Sequence, residues 1–75
     1  MEYRQAWIHR ELKRYYSARL ARDLFNELTV VQVWGGRGTQ RGGHAISRVD
    51  SLAEGVELID RIDRRRAARG YSRVH

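Results

Sequence analysis

The stretch "LTVVQVWGGRGTQRGGHAISRV" (Leu28–Val49) decides how this 75-residue chain is read. Its opening, Leu28 to Trp34, is β-branched and apolar enough for a central strand. Its close, "HAISRV" (His44–Val49), alternates, with Ala45, Ser47 and Val49 on one side and His44, Ile46 and Arg48 on the other. That period of two marks a strand covered on one face. Between them lie five of the chain's seven glycines, at positions 35, 36, 38, 42 and 43. Two strands and a glycine-rich connection make a hairpin, and glycines at positive φ are the ordinary way to shape one. The glycines leave Arg37 and Arg41 unexplained. Consecutive amides there can form an anion-binding concavity, to which the two side chains add charge-assisted hydrogen bonds.

Outward from this hairpin the same logic extends. In "RYYSARL" (Arg14–Leu20), Tyr16, Ala18 and Leu20 alternate with Tyr15, Ser17 and Arg19, and "ARDLFNE" supplies a turn punctuated by Asp23 and Asn26. Three strands in sequence imply an antiparallel meander, to which "AWIHRE" (Ala6–Glu11) offers a short fourth strand. Ser51-Leu52-Ala53-Glu54 fits a capping box, in which the Ser51 hydroxyl accepts the Glu54 amide while the Glu54 carboxylate reaches back to the Ser51 amide. Leu52, Val56, Ile59 and Ile62, flanked by Leu58, then give a helix one apolar face. Arg64, Arg65, Arg66 and Arg69 crowd its last turns, Gly70 supplies a left-handed stop, and Tyr71 can fold back onto the last turn. The fold class is α+β: an antiparallel sheet of three to four strands with one C-terminal α-helix packed across it. Length allows a single domain, residues 1–75, with its core at about 7–74.

Composition narrows the function. Hydrophobic residues at 41% and charged residues at 32% suit a folded domain rather than a disordered tail. No apolar run approaches the roughly 20 residues that span a bilayer, and the N-terminus lacks an export segment, so a cytoplasmic location without membrane contact is expected. There is no cysteine, hence no disulfide framework and no thiolate metal site. The net charge is +6, and Lys13 is the only lysine among fifteen basic residues. Arginine's planar fork grips phosphate in two places, which leans towards nucleic acid, although a GC-rich genome explains the arginines equally well. Glu57–Arg61 and Asp60–Arg64 have the spacing of helix-surface pairs; Arg65, Arg66 and Arg69 have no acid at that spacing. They form a patch if they share a face with Arg73 or the loop arginines, and otherwise a solvated helix end.

Catalytic arrangements are missing. "GGRGTQRGG" leads into a strand and lacks the Lys-Ser/Thr ending of a phosphate-binding loop, so neither a Walker nor a dinucleotide motif is met. His9, His44 and His75 lack the spacing of a zinc pair, and Ser47 near His44 has no orienting acid. No enzyme activity, cofactor or metal is expected. Trp34 reads either as a core ring with its N–H paired, which the strand slightly favours, or as a ring at the sheet edge that stacks on a sugar or base.

Arg14-Tyr15-Tyr16, Leu24-Phe25, Trp34-Gly35, Gly38-Thr39, Gly42 and Arg69-Gly70-Tyr71, in that order, resemble the WGR domain, the family named for its Trp-Gly-Arg motif. The resemblance spans about Trp7 to Val74 and implies an antiparallel sheet with a helix packed across it. Members occur as a non-catalytic, DNA-binding domain of nuclear poly(ADP-ribose) polymerases and as short bacterial proteins, which this chain resembles in size. Carried over, Trp34 is the motif tryptophan, set against a terminal sugar or a neighbouring domain. The motif arginine falls at position 36, where this chain has Gly36, and Arg37 comes one place late. A one-residue shift on a strand reverses the face, so Arg37 replaces it only through a turn or bulge.

The expectation is therefore a non-catalytic nucleic-acid-binding module, with DNA favoured over RNA and duplex or duplex ends favoured among DNA forms. It would contact phosphates with little sequence preference: Trp34 stacking, Arg37 and Arg41 gripping the backbone, and Arg65, Arg66, Arg69 and Arg73 supplying a positive field. The alternative is a protein–protein module, a homodimer or an adaptor for an acidic partner, that uses Trp34 and an open sheet edge.

Overall fold

The computed structural model describes residues 3–36, 38 and 42–74. Strands β1 (Arg4–His9), β2 (Arg14–Arg22), β3 (Leu28–Gly36) and β4 (Gly42–Arg48) precede helix α1 (Leu52–Ala68), and a short β5 (Ser72–Val74) follows it. The sheet order is β4-β3-β2-β1-β5, antiparallel throughout. The expected meander is present, but the sheet has five strands rather than three to four. The fifth was not foreseen, because Ser72-Arg73-Val74 carries no apolar alternation. It exists because β1 offers it an edge, with Ala6 opposite Val74 and Ile8 opposite Ser72.

Register decides which side chains meet the helix. Trp7 lies opposite Tyr16, Tyr16 opposite Trp34, and Leu20 opposite Val30, so these share the covered face. Trp7, Ala18, Leu20 and Val30 from the sheet pack with Ile59 and Ile62 of α1. Burying each large aliphatic side chain contributes about 1.5–3 kcal/mol before entropy is counted. Among the described residues the other face carries no helix, and Tyr15, Val33, Ile46 and Val74 remain exposed on it.

Three local expectations change. The buried helix positions are Gly55, Ile59 and Ile62, whereas Leu52 is exposed. A Cβ at position 55 would collide with Leu20 Cδ2, so the missing side chain is what lets the helix settle on the sheet. Second, Ser51 caps the helix by accepting the Glu54 amide at 3.1 Å, but the Glu54 carboxylate accepts from the Asp50 amide rather than from Ser51. Third, the Glu57–Arg61 and Asp60–Arg64 pairs do not form among the described residues. Asp60 instead accepts the Tyr3 hydroxyl at 3.1 Å, and burial together with that carboxylate pushes the Tyr3 phenol upward.

The helix stop forms as expected. Gly70 has φ +88°, its N–H donates to Ala67, and the Tyr71 N–H donates to Arg66 at 2.9 Å. These two bonds satisfy the last carbonyls and aim the chain back towards β1. At the opposite end of β2, Asp23 Oδ1 accepts the amides of Phe25 and Glu27 at 2.8 and 2.9 Å, and Asn26 adopts φ +63°. The resulting turn holds Leu24 and Phe25 out in solvent.

Candidate nucleic-acid interface

A concave cleft of about 660 Å³ opens where the β1–β2 turn, the end of β3 and the last turn of α1 converge. Its floor is aromatic. The Tyr16 and Trp34 rings stack at 5.6 Å with an interplanar angle of 15°, and the Tyr16 hydroxyl is anchored by donating to Gln32 Oε1 at 2.7 Å. Trp34 is therefore neither a core ring nor free in solvent; it is half-buried and lines the cleft.

Arg66 completes the arrangement. Ile59, Ile62 and Arg66 are spaced three and four apart, so the arginine continues the sheet-facing stripe of the helix. Its guanidinium carbon lies 4.6 Å from the Tyr16 centroid and 5.2 Å from that of Tyr71. Tyr71 in turn meets His9 edge-on at 5.3 Å. His9, Tyr71, Arg66, Tyr16 and Trp34 thus form one continuous row. Arg66 has no acidic partner, and its buried Nε has no hydrogen-bond acceptor among the described residues. A guanidinium without a paired carboxylate has the chemistry to hold an anion.

The glycines around Trp34 now have a physical account. A Cβ on Gly43 would fall 2.7 Å from Trp34 Cζ2, and one on Gly35 would fall 2.6 Å from the Tyr15 hydroxyl. Each glycine is a bed for an aromatic ring, Trp34 on the covered face and Tyr15 on the outer one. Positive φ is the reason at Gly38, at +72°.

The expected site residues separate into groups. Trp34 and Arg66 are brought together in the cleft, with Lys13 and Arg14 at its rim. Arg65 and Arg69 are exposed and do not line it. Arg73 lies on β5, where Nε and Nη2 donate to Asp63 Oδ1 and Oδ2 at 2.9 and 2.6 Å. Those bonds, followed by the Trp7 indole N–H, hold the Asp63 carboxyl below its usual range, and the same pair pushes Arg73 upward. Arg37 and Arg41 lie outside the described residues. Tyr16, Tyr71, Lys13 and Arg14 were not singled out as site residues by the sequence. Among the described residues, the cleft lining includes no assembly of nucleophile, base and orienting acid, and no group of three potential metal ligands occurs.

The fold and the cleft define a small α+β module with one aromatic, cationic concavity at one end of an open sheet. Residues 3–75 match the profile of the WGR domain, so the chain belongs to the WGR domain family. Comparison with curated proteins and with solved structures returned no significant match. The WGR domain is a family of nucleic-acid-binding modules, generally non-catalytic.

Proposed function

We propose that this protein binds double-stranded DNA at or near an end, through phosphates and with little sequence preference. The observation that carries this reading is the Arg66 guanidinium, held between Tyr16 and Tyr71 with no acidic partner among the described residues, on the same aromatic row as the half-buried Trp34. A nucleotide presents both features this cleft lacks: an anion for the guanidinium and a flat or puckered ring for the indole. An end is favoured over continuous duplex because an aromatic floor inside a concavity accepts a terminal sugar or base, whereas an intact backbone only passes over it.

Among the described residues, Lys13, Arg14 and Arg66 are the cations that line the cleft. If each neutralises one phosphate, the slope of log K against log salt is about −2.7 for duplex. Fluorescence anisotropy of labelled blunt duplex, nicked duplex, closed hairpin, single strand and RNA over a salt series tests this. Preference for open ends, a slope near that value, and loss of the preference in Trp34→Ala and Arg66→Gln are expected. Salt-insensitive binding, or none at low salt, overturns it.

A second reading, the protein–protein module, draws on the outer sheet face, where Tyr15, Val33, Ile46 and Val74 are exposed without a covering layer. Sedimentation velocity distinguishes the two. A stable dimer that ignores DNA supports the second, and a monomer whose mass increases only with duplex supports the first.

A further inference from the structure

The cleft has an unusual cation distribution. Position 36 shares the face of Trp34, two residues before it on the same strand, and it is occupied by glycine. The wall at the end of β3 therefore has no side-chain charge of its own at this point. Directly across the ladder, the residue paired with Gly36 is Arg14. Arg14 is two residues from Tyr16, so it also belongs to the covered face, and it lines the cleft. Paired Cα atoms in an antiparallel ladder stand about 4.5–5.5 Å apart, well within the reach of an arginine side chain. Arg14 is exposed and is in no ion pair among the described residues.

Its neighbour is more telling. Lys13, the chain's only lysine, adopts φ +52° in the turn between β1 and β2 and also lines the cleft. Glycine or asparagine takes such a position with least strain, and a long unbranched cation has no conformational reason to be there. The turn around it is fixed, since the Leu12 N–H donates to His9 Nδ1 at 3.2 Å and His9 pairs with Arg14 across the strands. The sequence therefore accepts backbone strain to place an ammonium group beside an unpaired guanidinium, and both border the Trp34 floor.

We propose that Lys13 and Arg14 are the phosphate-holding pair of this cleft, with Arg14 supplying from β2 the cation that β3 does not carry at Gly36. The ligand group is a phosphodiester of the bound nucleic acid: Arg14 donates to two of its oxygens, and Lys13 acts as a point charge on the same or the adjacent phosphate. The assignment rests on the nucleic-acid reading of the cleft. It places a phosphate grip on the β1–β2 turn, beside the one expected of Arg37 and Arg41 in the β3–β4 connection.

The full chain is tested as wild type, Lys13→Gly, Arg14→Gln, Arg14→Gln with Gly36→Arg, and Trp34→Ala. The readouts are thermal midpoint and anisotropy of blunt duplex at several salt concentrations. Lys13→Gly should raise the midpoint, because it releases the left-handed strain, and yet weaken duplex binding; a purely structural role would not move the two in opposite directions. Arg14→Gln should lose about tenfold in affinity at low salt, and each single variant should flatten the salt slope by about 0.9. Gly36→Arg, restoring a cation on the same face, should recover most of the loss in the Arg14→Gln background. If wild type binds duplex through Trp34 while Arg14→Gln and Lys13→Gly bind as tightly, the pair is not the phosphate grip and only this assignment falls. Failure of Gly36→Arg to restore affinity removes the claim that Arg14 stands in for position 36. If wild type binds no duplex, the nucleic-acid reading itself is overturned.

Discussion

Asp63 joins the helix to the core through the Trp7 indole and to the sheet edge through Arg73, and the two bonds should contribute unequally. Trp7 is 1% exposed, and its indole N–H donates to Asp63 Oδ1 at 2.8 Å. In Asp63→Ala that N–H loses its protein acceptor at a part-buried position, a loss of about 1–3 kcal/mol. In a domain of this size each kcal/mol moves the thermal midpoint by about 4–8 °C, so a fall of roughly 5–20 °C is expected. Asp63→Asn keeps a side-chain oxygen for the indole and loses only the charge on the Arg73 pair, whose side chains are 21% and 46% exposed. Solvent screens such a pair, and both Asp63→Asn and Arg73→Ala should therefore stay within a few degrees of wild type. The pH dependence carries a matching sign. The Asp63 carboxyl is held down first by the Arg73 hydrogen bond and second by the Trp7 N–H. Its contribution is complete above the ordinary carboxylate range, near pH 4, and is lost as pH falls through that range towards the lower folded value. Wild type should thus lose stability more steeply than Asp63→Asn on acidification. Thermal melts followed by circular dichroism at neutral and acidic pH measure both effects. Equal melting of Asp63→Ala and Arg73→Ala would refute the argument that the indole bond dominates.

Three further substitutions test the packing around the cleft and the helix. Gly43→Val should weaken duplex binding and shift the Trp34 emission, even though valine favours strands by up to about 1 kcal/mol, because its Cβ would fall 2.7 Å from the indole; unchanged emission and affinity contradict this. Gly55→Ala should lower the urea midpoint, because forcing a methyl against Leu20 costs about 1–3 kcal/mol while helix propensity returns at most about 1 kcal/mol; a higher midpoint shows that the helix can lift without penalty. Ser51→Ala should cost about 1 kcal/mol through loss of the acceptor for the Glu54 amide, and Glu54→Gln less, since its carbonyl can still serve Asp50; equal losses in the urea midpoint contradict the cap as described.

Much of the sheet was legible because one of its faces is covered. The alternation in Arg14–Leu20 and His44–Val49 separated Tyr16, Ala18 and Leu20 from Tyr15, Ser17 and Arg19, and Val49 from His44, Ile46 and Arg48. Which of the two sides the helix covers was not legible, and the register and core place Tyr16, Ala18, Leu20 and Val49 beneath it. Strand β5 was not legible, since a three-residue strand without apolar residues on the covered side is specified by its partner and by the turn at Gly70. The nature of Trp34 depended on a fact outside its own strand, that Tyr16 pairs with it and stacks against it. Arg66 did leave a signal. Extending the Gly55, Ile59, Ile62 stripe by four residues reaches it; Arg65 falls off that stripe, and Arg69 lies past the helix end at Ala68. Reading the helix end as a charge cluster hid the distinction between an arginine facing the sheet and those facing solvent. Gly55 was hidden for a related reason: an absent side chain contributes nothing to a hydrophobic pattern, although here its absence sets how closely the helix approaches.

The edge pairing of β1 with β5 has a consequence for covalent order. With Ala6 opposite Val74, the first and last strands run side by side and antiparallel, about 4.8 Å apart. A few added residues can therefore bridge them, and new ends can be opened between Leu24 and Phe25, which are 100% and 85% exposed on the turn away from the cleft. Such a circular permutant keeps every residue of the aromatic row on an uninterrupted strand or helix end. Its two halves, Phe25 onward and up to Leu24, then become a natural pair for split-protein reconstitution, in which recovery of the cleft reports that the fragments have found each other.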